Sequence, residues 1–216
     1  THTRTPSLAA HPHAHPHARQ PRQRHQQQQQ QQQQQARAPA KMGMLTSCLK
    51  KPLPVVETVD VNRMLGAWYV VAVIPTPFEK NAYNPIEKYT WDASKKRIDV
   101  DFKFNKGSLN GPISSIPQKI YTGGYPTSTG RWAASPAWPL KLDYSIMDLA
   151  EDYSWVVVGH RSRSFLWVMS RQTNLERSIV DAGLDLAKKN GFDLSKVQYP
   201  EHSDAPDADA ARNHTK

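Results

Sequence analysis

Arg97-Ile98-Asp99-Val100-Asp101-Phe102-Lys103-Phe104 alternates apolar and polar residues without a break. Successive side chains of a strand point to opposite faces, so Ile98, Val100, Phe102 and Phe104 share one face and Asp99, Asp101 and Lys103 the other. A strand with one dry and one wet face belongs to an antiparallel sheet laid on a single core.

Seven further segments on either side read as strands: residues 68–74, 86–91, 118–123, 132–138, 142–149, 153–159 and 165–171. Turn chemistry separates them, at Asp92-Ala93-Ser94, Asn105-Lys106-Gly107, Asn110-Gly111-Pro112 and Gly123-Gly124-Tyr125-Pro126. Eight short strands at regular spacing predict a sandwich or a barrel. One helix follows them. Thr173 or Asn174 can cap it, Glu176 lies in its first turn, and Ile179, Leu184, Leu186 and Ala187 form its apolar face. Lys188, Lys189 and Asn190-Gly191 end it. Gly66-Ala67-Trp68 heads the first strand and Arg171 ends the last. An indole face accepts a guanidinium, worth about 0.5–2 kcal/mol, and Gly66 lets the backbone pass close by. These residues are expected to close a barrel structurally.

The rest of the chain is of another kind. The chain has 216 residues and a formal charge of +9, and Arg4, Arg19, Arg22, Arg24, Arg37 and Lys41 supply six of those charges, unopposed by any acid, before residue 42. That stretch also holds four alternating histidines and glutamine at every position from 26 to 35, a composition that builds no core. Residues 1–54 read as a low-complexity leader and linker, 55–202 as the folded domain, and 203–216 as an acidic tail. With three net charges left after residue 41, and acids interspersed among bases, the domain has no basic face of the kind a nucleic acid requires. No segment reaches the ~20 apolar residues of a membrane-spanning helix. His11, His13, His15 and His17 could ligate a transition metal, but in a stretch without a fold they are expected to be solvated, and neither metal nor cofactor is expected.

Val61-Asn62-Arg63-Met64-Leu65-Gly66-Ala67-Trp68-Tyr69 resembles the first motif of the lipocalins, and Pro77-Phe78-Glu79-Lys80 the loop after the family's first strand. The likeness is to the branch of the bacterial outer-membrane lipocalin, apolipoprotein D and the plant temperature-induced lipocalins. Residues 148–159 are similar to the second motif region, Phe165-Leu166-Trp167-Val168-Met169-Ser170-Arg171 to the third, and Gly191-Phe192-Asp193-Leu194-Ser195-Lys196 to the segment after the family helix. The resemblance implies an all-β fold, an eight-stranded antiparallel up-and-down barrel with one C-terminal helix packed outside. It also implies a cavity for a small hydrophobic ligand such as a fatty acid or lysophospholipid, with carriage or membrane protection as the role.

Alternation counted from Trp68 and Arg171 places Val70, Ala72, Glu87, Tyr89, Trp91, Ile98, Val100, Phe102, Phe104, Trp132, Ala134, Trp138, Tyr144, Ile146, Trp155, Phe165, Trp167 and Met169 inside. The expected cavity residues are Glu87, Tyr89, Trp91, Val100, Phe102, Phe104, Trp132, Tyr144, Ile146, Trp155, Phe165 and Trp167. Such a lining suits an acyl chain, at about 0.8 kcal/mol per buried methylene. Glu87, Tyr89, Tyr144 and Tyr153 are the polar groups a headgroup could meet.

The rival readings are an enzyme on the same barrel, isomerase-like or pigment-related as a few family members are, or an interaction module with a filled core. The sequence carries no G-x-S-x-G, H-E-x-x-H, P-loop or C-x-x-C pattern, and His160 reads as a turn residue, so no catalytic residue is assigned. Cys48 is the one cysteine, so no intrachain disulfide forms. Extracellular lipocalins commonly have one, which favours a peripheral membrane or cytoplasmic location over secretion. Met42-Gly43-Met44-Leu45-Thr46-Ser47 fits the myristoylation pattern, with Cys48 placed for palmitoylation and Lys50 and Lys51 for anionic lipid. Two lipid signals together hold a protein on a membrane. This requires translation from Met42, with Gly43 at the terminus; otherwise Met42 is internal and Gly43 ordinary. The oligomeric state is not legible.

Overall fold

The structure is a computed structural model that describes residues 51–136 and 139–203. Gly43, Cys48 and Trp138 lie outside the described residues. Ten strands run in the order β1 (Val59–Asp60), β2 (Gly66–Ile74), β3 (Ala82–Asp92), β4 (Arg97–Lys106), β5 (Ile113–Tyr121), β6 (Thr127–Ser128), β7 (Arg131–Ser135), β8 (Leu142–Leu149), β9 (Trp155–Gly159) and β10 (Leu166–Ser170). Eight of them close an antiparallel barrel in the order β10-β2-β3-β4-β5-β7-β8-β9. The alternation of β4 is realised: Ile98, Val100, Phe102 and Phe104 are buried, while Asp99, Asp101 and Lys103 are half-exposed. The main helix, α2 (Arg177–Lys189), follows the last strand and packs outside the barrel, as the order of patterns predicts.

The barrel wall has a core on each side. Inside, Trp68, Val70, Val73, Tyr89, Ile98, Val100, Ile120, Trp132, Tyr144, Ile146, Val156, Val158 and Met169 pack together. Outside, Leu53, Ala72, Ile74, Met147, Val157, Leu166 and Val168 meet Val180, Leu184 and Ala187 of α2, together with Phe192. Where both faces are covered, strands lose their alternation and read as continuous apolar runs. Two expected inward positions face outward instead. Trp155 pairs with Ser170, whereas Val156 pairs with the inward Met169, so Trp155 faces the outer core. Ala72 is also turned outward. A bulge in β2 pairs Met169 with Val70 but Val168 with Ala72, leaving Val71 unmatched, and an extra residue inverts the facing that follows.

Gly159 shows how tight the outer contact is. A Cβ there would sit 2.6 Å from Met147 Sδ and 2.8 Å from Phe192 Cζ, so any side chain forces those neighbours to shift. β5 begins at Ile113, five residues before the sequence suggests, and runs through Pro117. β7 pairs only with residues 119–121 of β5, and a strand with one free edge tolerates proline. α2 starts at Arg177 with Glu176 in the cap position and no side-chain cap, neither Thr173 nor Asn174 serving. Its end is as expected, with Asn190 closing it and Gly191 at φ +88°.

A short helix, α1 (Val61–Met64), seals the narrow end. Asp60 caps it by accepting from Asn62 N at 2.9 Å, and its Val61 and Met64 are buried. Trp68 donates its indole N–H to Met64 O at 2.8 Å. Arg171 lies over the Trp68 ring, 3.6 Å from the centroid. Its Nη1 donates to Ala67 O at 2.7 Å, its Nη2 to Arg63 O at 2.6 Å and its Nε to Tyr153 O at 3.3 Å. Gly66, at φ +95°, brings the backbone within reach of that guanidinium. Trp91 stacks on Tyr125 at 4.1 Å at the same end.

Candidate functional site

The opposite end carries the loops 75–81, 107–112 and 160–165 and residues 139–141, and beneath them lies a cavity of about 140 Å³. Six expected residues line it: Glu87, Val100, Phe102, Tyr144, Phe165 and Trp167. Ile116, Ile120, Ala134, Leu140, Leu142 and Phe78 add to its apolar wall. Tyr89, Trp132 and Ile146 lie deeper in the inner core, with Trp91 packed against it, and none of the four lines the cavity. Phe104 is buried beside Phe102, ring centroids 5.2 Å apart. Trp155 belongs to the other side of the wall.

A second cavity, of about 150 Å³, adjoins the first and shares Glu79, Phe102 and Trp167 with it. It exists because β2 pairs with β3 only over residues 66–69 and then diverges. The C-terminal segment covers that gap. Val73 and Gln198 exchange two backbone hydrogen bonds of 2.8 Å, Asn84 N donates to Glu201 O at 2.8 Å, and residues 198–201 form the outer wall.

Two buried carboxylates stand in this apolar setting. Glu87 Oε2 accepts the Tyr89 hydroxyl at 2.6 Å, and the Tyr89 and Tyr144 hydroxyls are 2.6 Å apart. Tyr89 spends its proton on an ionised Glu87, so Tyr144 donates to Tyr89. Burial pushes Glu87 up to about 7; the Tyr89 hydrogen bond opposes this and the charge of Glu79 adds to it. Burial and the neighbouring Glu87 hold both tyrosines well above the ordinary phenol range. Glu79 Oε2 accepts from Thr76 N at 2.8 Å and Oε1 from Trp167 Nε1 at 3.4 Å, yet burial still raises its pKa. Burial lowers that of His160, with Asp143 opposing, so the imidazole is neutral near pH 7.

Sequence reasoning does not mark Glu79, since an acid in a Pro-rich loop has no signature of burial. It becomes a wall group only because Phe78-Glu79 folds back over the mouth. Among the described residues no cluster of three or more His, Cys, Asp or Glu could hold a metal ion, and no helix is long and apolar enough to cross a membrane.

This architecture has counterparts among known proteins. Temperature-induced lipocalin-1 of Arabidopsis thaliana is 28% identical over 170 residues, covering 73% of this chain and 87% of that protein. Outer membrane lipoprotein Blc of Escherichia coli (strain K12) is 29% identical over 173 residues, covering 76% and 95%. The crystal structure of apocrustacyanin C1 superposes with a TM-score of 0.55 at 15% identity, covering 70% of this chain and 84% of that one, a likeness of fold. Residues 59–202 match the profile of the lipocalin-like domain. With that match across the whole barrel and α2, the chain belongs to the lipocalin family.

Proposed function

We propose that this protein is a carrier that takes the apolar part of a small lipid-like molecule into the cavity under the barrel mouth. The observation that supports it best is the cavity itself: an apolar space with Glu87 and Tyr144 at its wall, beneath an end of the barrel that no helix among the described residues plugs. A void of this size, about 150 Å³ in a measured case, admits a molecule as large as benzene. The cavity therefore holds a few methylenes or one ring, and a longer chain continues past Glu79 and Trp167 into the adjoining space or out through the mouth. Each buried methylene contributes about 0.8 kcal/mol. At the wall His160 Nδ1 meets Ser162 Oγ at 2.7 Å, a contact within the turn 160–165, and the apolar lining beside it favours carriage over catalysis.

The rim suggests where loading occurs. Phe78, Leu140 and Ile113 are 73%, 51% and 46% exposed at the open end, and Lys80, Lys141 and Arg161 are exposed beside them. Apolar tips among cations suit an anionic bilayer surface. Peripheral attachment through acyl chains on Gly43 and Cys48 belongs to the same reading, in line with the naming of a relative as an outer membrane lipoprotein. Intact-mass measurement of the protein from its native source tests the attachment, an acyl increment being expected and an unmodified mass contradicting it. For the carrier itself, the protein is purified from that source, extracted with organic solvent and examined by mass spectrometry. A released hydrophobic small molecule, near one per chain, is the expected result, and a protein that neither releases nor afterwards takes up such a molecule contradicts the reading.

A further inference from the structure

Both cavities draw their charged wall groups from acids. Glu79 lines both, Glu87 and Asp143 the inner one, and Glu201 the outer one, with neither lysine nor arginine among the described residues that line them. His160, neutral for the reason given above, supplies no opposing charge. Glu87 is 5% exposed, and only its Oε2 is engaged, by Tyr89. Oε1 accepts no hydrogen bond among the described residues and keeps accessible surface on a side chain that lines the cavity. A carboxylate oxygen open to the cavity accepts from a ligand that brings a donor, and a charged donor makes the stronger hydrogen bond.

We propose that the cavity selects apolar ligands whose polar end is a protonated amine, the ammonium donating to Glu87 Oε1, and that it discriminates against fatty carboxylates. The inference rests on the carrier reading and names the headgroup that reading leaves open. In a water-poor site an ammonium gains from Glu87 and Glu79 together, while a carboxylate placed there is repelled by both or must take up a proton. A neutral alcohol of the same length gains the burial without the charge.

The preference follows pH through Glu87. The groups around it are Tyr89 on its own strand, Glu79 after β2, Asp143 and Tyr144 on β8, and His160 after β9. Arg171, beyond β10, acts on Tyr89 at the closed end. β4 and β5 add Val100, Phe102, Ile116, Gln118 and Ile120, and β10 adds Trp167, none of which titrates. Amine affinity therefore rises, and carboxylate affinity falls, as Glu87 ionises.

Tryptophan-fluorescence titration of the full chain with dodecylamine, dodecanol and dodecanoate, at about pH 6 and about pH 8, tests this. At the higher pH dodecylamine is expected to bind about tenfold or more tightly than dodecanoate, with a narrower gap at the lower pH. Glu87→Gln is expected to weaken dodecylamine about tenfold more than it weakens dodecanol; Glu79→Gln, a smaller change in the same direction, serves if the first variant does not fold. Dodecanol binding with dodecanoate as tight as dodecylamine, or a ratio unmoved by these variants, overturns the amine preference alone. Failure of all three ligands overturns the carrier reading and this inference with it.

Discussion

One guanidinium, that of Arg171, reaches three backbone carbonyls and an indole face, joining the end of the last strand to the start of the first. Its fork does what a point charge cannot, so Arg171→Lys restores only part of what Arg171→Ala loses. Arg171→Ala is expected to lower unfolding free energy by about 2–4 kcal/mol in urea titration. Dodecanol affinity of the folded variant should be unchanged, because Arg171 lies at the sealed end. Glu87 is of the opposite kind, a group whose burial costs stability. Its folded pKa, about 7, lies above its ordinary 4.5. The folded state therefore holds the proton more firmly, and the advantage is full below about pH 4.5 and lost as pH rises through about 7. The shift corresponds to about 3 kcal/mol. Urea unfolding between about pH 5 and about pH 8 should show stability falling, with most of that slope absent in Glu87→Gln. The pairing of Trp68 with Arg171 is legible in the sequence because each terminates a recognisable strand. The burial of Glu79 is not, since it depends on how a loop folds over the mouth.

β4 is readable because one face is wet, whereas β9 and β10 are apolar on both faces, so alternation alone cannot orient Trp155. The bulge in β2 is invisible for the same reason, an extra apolar residue in an apolar run. The two tryptophans on opposite sides of the wall give a direct check. Trp167, at the cavity, should account for much of the ligand-induced fluorescence change, and Trp167→Phe should remove it. Trp155→Phe should leave it in place. α2 contributes through its buried face, and Leu184→Ala is expected to cost about 2–4 kcal/mol in chemical denaturation without shifting ligand affinity.

At the scale of the whole molecule, the barrel was readable as eight segments, their turns and one late helix, since strand count and order follow from pattern. The cavity was not, because a void is the small difference between a wall and its filling. Tyr89, Trp91, Trp132 and Ile146, all apolar or aromatic and all inward, fill or seal the lower barrel, while equally apolar neighbours such as Val100 and Phe165 border empty space. Only the position of each layer along the barrel separates the two sets. That the upper layer is a binding space is the central claim, and calorimetric titration of the full chain with dodecanol tests it most directly. The prediction is one site per chain, a negative heat-capacity change from apolar burial, and loss of binding when the cavity is filled by Ala134→Phe in a protein that still folds. Absence of saturable heat, or an unchanged isotherm in the filled variant, would contradict it.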